Sequence, residues 1–143
     1  MTIETVVVQA SSRSWQGGPD LCMNEIDGRP AVEVVLDRVM ERFSCPIVLA
    51  APGFDADGAL RGIAERVGKG RIKTHFGQDE RPLERILAVT SKLSDEALIL
   101  RIDGLHVCAD LDASEAMARL AERDQLDCVK FPDDFPSQLA SEV

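Results

Sequence analysis

The sequence of 143 residues has no tyrosine, a single tryptophan and an aromatic content of only 4%. Its core must therefore be built from Val, Leu, Ile and Ala, a mixture that suits strands buried on both faces of a parallel sheet. Apolar residues make up 45% of the chain and charged residues 29%, as in ordinary globular proteins.

Positive charge is also scarce. The chain has 16 Lys and Arg residues against 25 Asp and Glu residues, a formal net charge of −9. Binding to nucleic acid depends on a basic face that displaces counterions from phosphates. This composition therefore excludes nucleic acid as an expected partner.

Metal-binding cysteine patterns are missing. The four cysteines lie far apart with no C-x-x-C pair, and only His75 and His106 offer imidazole. Such spacing does not support a zinc site. The cysteines are Cys22, Cys45, Cys108 and Cys128.

Long apolar runs are missing as well. The longest, around residues 46–54, falls well short of the roughly 18 residues of a membrane span, and the amino terminus lacks a basic segment followed by an apolar stretch. We therefore expect no membrane partner, a cytoplasmic location and reduced thiols.

Apolar residues recur in alternating strand and helix patterns along the chain. Strands alternating with amphipathic helices predict right-handed crossovers and a three-layer α/β/α domain with a mainly parallel central sheet, of Rossmann-like type. We expect one domain over residues 1–143, the N-terminal part of a longer protein, because residues 133–143 complete no element. Strands are predicted at 5–10, 46–51, 71–76, 97–102 and 128–131, and helices at 30–43, from Asp55 or Asp57 to about 67, at 82–93, and from Asp110 or Asp112 onward.

The loop after the first predicted strand carries the clearest functional signal. Ser, Arg, Gly and Pro residues follow the strand at 5–10, and Asp27-Gly28-Arg29-Pro30 then opens a helix. In open α/β sheets, ligands bind outside the carboxyl ends of the strands, and the first strand-to-helix loop offers backbone N–H groups to phosphates. This arrangement predicts a nucleotide site.

Gln9-Ala10 and the later Glu25-Ile26-Asp27-Gly28-Arg29-Pro30 resemble the framework of the sugar cytidylyltransferases, in particular the spore-coat polysaccharide type. In that family the first strand leads to Q-A-R-x-x-S-x-R-x-P-G-K and then to N-G-K-P. Further similarities, in the same order as in the family, lie at Phe76-Gly77-Gln78-Asp79-Glu80, Leu83-Glu84-Arg85, Arg101-Ile102-Asp103-Gly104, and Phe135-Pro136 with Glu142.

The resemblance implies a nucleotide-diphospho-sugar transferase fold and an enzyme that uses CTP and Mg²⁺ to make a CMP-sugar. It implies a metal ligand at Asp103, in a shifted register. The simpler interpretation of Asp103, which we favour, is a turn after the fourth main strand, because Asp-Gly is a turn sequence. The residues that it implies near the nucleotide are Gln9, Ala10, Ser11, Arg13, Gly17, Gly18 and Arg101.

This chain departs from the family at the positions that the resemblance implies for phosphate and metal binding. Ser11 stands where the family has its first loop arginine, Asp20 where it has a lysine, and Leu105 where it has a metal-binding aspartate. Arg13 is a partial substitute, since a guanidinium binds phosphate in a forked geometry. Nucleotidyl transfer needs charge neutralised at the phosphates, so these losses predict a weak or inactive enzyme.

Two functional hypotheses follow. The first is a cytidylyltransferase-like domain of surface polysaccharide or sugar-nucleotide metabolism, with CTP or a CMP-sugar as ligand. The second is a non-catalytic nucleotide-binding, sugar-binding or assembly module of a multidomain protein. Trp15 is compatible with either, because a lone tryptophan in a polar loop stacks on a base or sugar or contacts another chain, including a second copy; the simpler alternative is that it folds back over the edge of the sheet.

His106 and the pair Asp110 and Asp112 each have a simpler interpretation beside a functional one. The pKa of free imidazole lies near neutral pH, which suits a general base, but a lone loop histidine is more often merely solvated. Asp110-Leu111-Asp112 matches the D-x-D of metal-dependent glycosyltransferases, yet aspartate is also preferred at a helix start. We favour the simpler interpretation for both.

Overall fold

The computed structural model describes residues 3–136 and 139–143. These residues form six strands and four α-helices, with short 3₁₀ turns at Leu21–Met23 and Gly53–Asp55. In chain order they are β1 (Ile3–Gln9), β2 (Glu25–Ile26), β3 (Arg29–Pro30), α1 (Ala31–Arg42), β4 (Ile47–Pro52), α2 (Ala59–Gly68), β5 (Ile72–Gly77), α3 (Pro82–Thr90), β6 (Leu98–Asp103) and α4 (Leu111–Asp124).

The central sheet has the order β5-β4-β1-β6, and all its strands are parallel. β1 lies inside the sheet, and Val6, Val7 and Val8 are completely buried because helices or neighbouring chain cover both faces. The predicted α/β fold with a mainly parallel sheet is confirmed.

Helices cover the two faces of the sheet unequally. α1 packs against α2, and Val8 belongs to the core that their side chains build. Gln9 points to the opposite face, since side chains alternate along a strand, and it reaches the first residue of α3. The core therefore lies mainly under α1 and α2, and α3 shields β4 and β5 from the other side.

The strand order places a topological switch beside β1. From β1 the chain moves outward to β4 and β5, and then returns to β6 on the other side of β1. Ligands of open α/β proteins bind in the crevice that such a reversal opens at the carboxyl ends of the strands. The loops after β1, β4, β5 and β6 meet at that edge.

Two local predictions are wrong. Residues 128–131 form no strand; Lys130 makes one antiparallel bridge to Glu142, which also bridges to Arg101 of β6. The second helix is not capped by Asp55 or Asp57, because Gly58 occupies the cap position and α2 begins at Ala59. Asp55 instead accepts a hydrogen bond from the amide of Ser12 in the loop after β1.

The helical spacing of Leu83, Ile86, Leu87, Thr90 and Leu93 predicts that this side of the third helix faces inward, and this prediction is also wrong. Leu83 and Leu87, expected to face inward, are 65% and 58% exposed, whereas Arg85 between them is buried. The helix carries apolar residues on more than one side, and the side that includes Arg85 packs closely on β5: a Cβ at Gly77 would lie 3.0 Å from Arg85 Cγ.

The start of α4 agrees with the simpler interpretation of its acidic residues. Asp110 is the cap, and its carboxylate accepts a hydrogen bond from the Ala113 amide at 2.9 Å. Within the described residues, no helix combines the length and the apolar character needed to cross a membrane.

Candidate functional site

A cleft of about 680 Å³ opens at the carboxyl edge of the sheet. Its walls come from the loop after β1, the turn after β4, the loop after β5 and the first turns of α3. The residues that line it are Ser11, Arg13, Ser14, Trp15, Asp20, Pro52, Phe54, Asp79, Glu80, Pro82 and Arg85. The cleft thus lies where the sequence predicts a nucleotide site.

The loop after β1 is folded back on itself at residues 11–20. Gly17 donates to the Ser14 carbonyl at 2.9 Å and Ser14 to the Gly18 carbonyl at 3.0 Å. Gly17 and Gly18 turn the chain with φ of 87° and 80°, in the region that favours glycine. Most amides expected to face phosphate are engaged inside the protein, namely those of Ser12, Arg13, Ser14, Gln16, Gly17 and Asp20.

Asp55 anchors this loop from the turn after β4. Its side chain is 2% exposed and accepts hydrogen bonds from the Ser12 amide, at 3.0 Å, and from the Ser12 hydroxyl. A buried carboxylate needs such donors to offset its lost hydration. Asp55 therefore fixes the wall of the cleft, a role that its sequence context does not reveal.

Arg85, in the first turns of α3, also lines the cleft. It is 7% exposed and donates from Nη1 to the carbonyls of Gln78, at 2.5 Å, and Asp79, at 3.0 Å. Burial lowers the pKa of the guanidinium, an effect that the nearby Asp79 and Asp55 carboxylates oppose. Its Nε is buried and finds no hydrogen-bond partner among the described residues.

The charge of the cleft is slightly negative. Arg13 and Arg85 face three carboxylates, those of Asp20, Asp79 and Glu80. The Arg13 guanidinium lies 5.1 Å from the centre of the Phe54 ring, a cation–π contact. Such a balance attracts a nucleotide triphosphate far less than a cleft of lysines and arginines would.

Gln9 and Arg101 meet on the face of the sheet that α3 covers. Arg101 donates from Nε to the side-chain oxygen of Gln9 and from Nη1 to Glu142 at 2.7 Å. The Gln9 amide donates in turn to the Pro82 carbonyl at 3.2 Å. Gln9 and Arg101, both predicted to lie near the nucleotide, thus link β1 and β6 to α3 and to the segment at Glu142.

Asp103 ends β6 and is exposed. Its Oδ1 accepts a hydrogen bond from the Leu105 amide at 2.8 Å, the turn expected of an Asp-Gly sequence. Leu105 packs against the hydrophobic core. Among the described residues no three His, Cys, Asp or Glu side chains cluster as a metal site. The residues present do not fit a built magnesium site, and Asp103 offers one free carboxylate oxygen.

The structure therefore places the residues predicted to lie near the nucleotide in different parts of the domain. Ser11 and Arg13 line the cleft, with Gly17 and Gly18 in the same loop. Ala10 is buried against Gly104, where a Cβ would lie 3.0 Å from the Ala10 Cβ. The binding role of each residue remains a prediction.

Cys22 lies buried under the same loop, and its Sγ donates to the Ser11 carbonyl at 3.1 Å. Burial, opposed in part by that hydrogen bond, raises the pKa of the thiol from 9.0 to about 12. In the unfolded chain the thiol ionises near its ordinary pKa. This residue's contribution to stability is therefore complete below about pH 8 and is lost as the pH rises toward 12.

We expect the free energy of unfolding to fall between about pH 8 and about pH 11, and to fall less in Cys22→Ala. Urea denaturation across that range measures the difference. Cys108→Ala, at an exposed thiol, serves as the control and should retain the wild-type slope. Equal slopes for Cys22→Ala and the wild type would contradict the predicted pKa.

Solved structures with this fold include several nucleotidyltransferases. A cytidylyltransferase from Leptospira borgpetersenii serovar Hardjo-bovis is 16% identical, with a TM-score of 0.74 over 98% of this chain and 59% of that one. A CMP:2-keto-3-deoxy-manno-octonic acid synthetase complexed with CTP is 15% identical, with a TM-score of 0.63 over 92% of this chain and 54% of that one.

A third similar structure is a 4-diphosphocytidyl-2C-methyl-D-erythritol synthase from Anaerococcus prevotii, 22% identical, with a TM-score of 0.61 over 93% of this chain and 60% of that one. The chain thus spans between 54% and 60% of the length of these proteins. No family model and no curated protein matches the sequence. At these identities the similarity establishes the fold.

Proposed function

We propose that the chain is a cytidylyltransferase-like domain of sugar-nucleotide metabolism that binds a cytidine nucleotide and transfers it weakly or not at all. The observation that carries the proposal is the cleft bounded by the loops after β1, β4 and β5, at the switch point of a sheet shared with cytidylyltransferases. One of those proteins was solved in complex with CTP.

In this proposal Arg13 meets the phosphates, because it is an exposed guanidinium in the loop after β1. Ser11 lines the cleft, and Gly17 and Gly18 turn the same loop with positive φ. Any Mg²⁺ would arrive with the nucleotide, since Asp103 alone supplies one free oxygen.

Weak chemistry follows from the charges around the cleft. Asp20 caps the 3₁₀ turn at Leu21–Met23 and turns its carboxylate to the Cys22 amide at 2.9 Å. A transferase must stabilise negative charge that develops on the phosphates, and one missing electrostatic donor costs about 3 kcal/mol of that stabilisation. A negative side chain at this position opposes it further.

The alternative is a module that binds without catalysis or serves in assembly. Trp15 favours it, because this side chain is 92% exposed at the mouth of the cleft and is available to another chain. The two functions differ in an observable way, since an assembly module need not bind any nucleotide.

Thermal unfolding with CTP, CMP and Mg²⁺ tests the binding. A ligand at 100 times its dissociation constant adds about 2.7 kcal/mol of stability and raises the melting temperature. A pyrophosphate-release assay with the same mixture and a sugar acceptor tests transfer, for which we expect little or no turnover. Rapid turnover would disprove the inactive state, and no thermal shift with any nucleotide would favour assembly.

Replacement of Asp20 by asparagine should strengthen binding of CTP about tenfold, because it removes one of three carboxylates from the cleft. Asparagine is also a good cap, so the 3₁₀ turn should persist. Titration calorimetry measures the affinity, and the gain should shrink in high salt. Asp57→Asn, an exposed position outside the cleft, is the control. An unchanged affinity in Asp20→Asn would argue against phosphate near this loop.

A further inference from the structure

A second cavity, of about 730 Å³, lies between β5, at one edge of the central sheet, and α3. Apart from Gly77 and Ala88, every residue that lines it is polar or charged. It adjoins the nucleotide cleft, with which it shares Asp79, Glu80 and Arg85. Its volume lies within the range of small-molecule sites, about 300–1,000 Å³.

Gly77 leaves room for two functional side chains on the wall that β5 forms. A Cβ at this position would lie 2.9 Å from His75 Nε2 and 3.0 Å from Arg85 Cγ, so the two side chains approach the same point of the strand. A larger residue at position 77 would displace one of them. The glycine therefore allows an imidazole and a guanidinium to line the cavity side by side.

Arg85 has one edge of its guanidinium without a partner. Nη1 donates to the carbonyls of Gln78 and Asp79, which fixes the plane of the group. Nε is buried and unpaired, and Nη2 also makes no hydrogen bond to the described residues. Nε and Nη2 form the edge that binds a carboxylate through two parallel hydrogen bonds. Because an unpaired buried donor is costly, this edge favours a ligand that brings a carboxylate.

The carboxylates around Arg85 do not occupy this edge. Asp79 and Asp55 act on Arg85 through their charge but accept no hydrogen bond from it. Asp79 accepts a hydrogen bond from the Phe54 amide at 3.4 Å. The unpaired edge is therefore not satisfied by the acidic residues nearest to it.

The remainder of the cavity carries surplus negative charge. Arg81, whose side chain is 65% exposed, is paired with Glu84 at 2.6 Å. Glu80 is exposed and forms no ion pair with the described residues. Together with Asp79 and Arg85 these residues make two positive groups against three negative ones. A ligand with negative charge alone would be repelled by the free carboxylates, and one with positive charge alone would leave Arg85 unpaired.

We propose that this cavity binds an α-amino acid as its zwitterion. The carboxylate of the amino acid accepts hydrogen bonds from the free edge of Arg85, and its ammonium group donates to Glu80. The side chains of His75 and Gln78 make no hydrogen bond to the described residues and can both donate and accept, so they favour a small or a polar uncharged side chain on the ligand. This binding requires no nucleotide and does not depend on the proposed function.

Glycine, serine, asparagine and glutamine, added without nucleotide, are the probes. Nitrogen–proton NMR follows the Nε–H group of Arg85, and the imidazole signals of His75 report on the neighbouring wall. The only other histidine, His106, does not line the cavity and is the internal reference. At least one probe should shift the Arg85 and His75 signals saturably and leave His106 unchanged. Absence of a saturable shift with all four would overturn the proposal.

Derivatives of the responding amino acid test recognition of its two charged ends. The N-acetyl derivative has no ammonium group, and the amide derivative has no carboxylate. Each should bind about tenfold more weakly than the parent amino acid, since each loses hydrogen bonds to a charged group. Undiminished affinity of either derivative would contradict binding of the zwitterion.

Variants separate recognition from structural effects. Glu80→Gln should weaken the amino acid about tenfold but strengthen binding of its N-acetyl derivative, because it removes a carboxylate that repels this anion. A folding defect cannot produce that gain. Arg85→Lys keeps a positive charge but loses the planar edge, and it should weaken both ligands. Glu65→Gln, exposed and outside the lining, should behave as the wild type. Failure of both changes expected for Glu80→Gln would refute the assignment, whether or not the cleft binds CTP.

Discussion

Replacement of Asp55 by alanine is expected to lower the free energy of unfolding by about 3 kcal/mol, because hydrogen bonds to a charged group contribute about 1.5–3 kcal/mol and the buried Ser12 donors lose their acceptor. The same change removes one of the two carboxylates that oppose the desolvation of Arg85. Urea denaturation measures the loss. Amide hydrogen exchange at Ser12 should accelerate, since its donor bond to Asp55 is the link between loop and turn.

Asp57→Ala is the matched control for this prediction. Asp57 lies two residues further along the same turn and is exposed, so its removal should change stability by no more than about 0.5 kcal/mol. Similar losses in both variants would mean that stability depends on acidic residues in this turn generally, and not on the interaction between Asp55 and Ser12. We also expect Asp55→Ala to weaken nucleotide binding, since it loosens the wall that carries Arg13.

Arg101→Ala is expected to cost about 2 kcal/mol of stability, because it leaves the buried Gln9 oxygen without its donor and buried orphaned groups cost about 1–3 kcal/mol. The Glu142 partner adds little, since both side chains of that pair are about 40% exposed. Thermal or chemical denaturation measures the loss. The CTP affinity of the same variant reports separately on the nucleotide role predicted for Arg101.

A double-mutant cycle sharpens this test. Replacing Gln9 and Arg101 together by methionine removes donor and acceptor at once, which should cost less than the sum of the single changes. Arg81→Ala, which removes an exposed pair with Glu84, serves as the control and should lie within about 0.5 kcal/mol of the wild type. Strict additivity at Gln9 and Arg101 would show that the two side chains do not cooperate.

The fold is predictable from the sequence because most of its strands are recognisable from the apolar character of their own residues. β4 is apolar throughout and β1 carries three consecutive valines, as expected of strands covered on both faces, and the helices between the strands have a clear periodicity. Residues 128–131, Cys-Val-Lys-Phe, are also mostly apolar but form a single bridge at Lys130. A short apolar run becomes a strand only when an adjacent strand forms a series of backbone hydrogen bonds with it. Sequence alone does not show which strand will lie beside it.

The candidate site is less predictable because its geometry depends on distant partners. Asp55 looks like a helix cap, yet its partner Ser12 lies 43 residues earlier in the chain. Arg101 looks free to meet phosphate, yet Gln9 lies 92 residues before it and Glu142 41 residues after it. The turn at Asp103 and the cap at Asp110 are set by near neighbours, and there local reasoning succeeds.

The pairing of Glu142 with both Arg101 and Lys130 has a consequence for association between molecules. An open sheet edge is a template on which another chain can add a strand. The backbone of residues 142 and 143 occupies that position beside β6 and is itself bonded to Arg101 and Val129. At the other edge, β5 carries the exposed Lys73, a residue type that discourages strand addition. Both edges of the sheet thus carry a feature that disfavours the addition of a strand from a second copy of this chain.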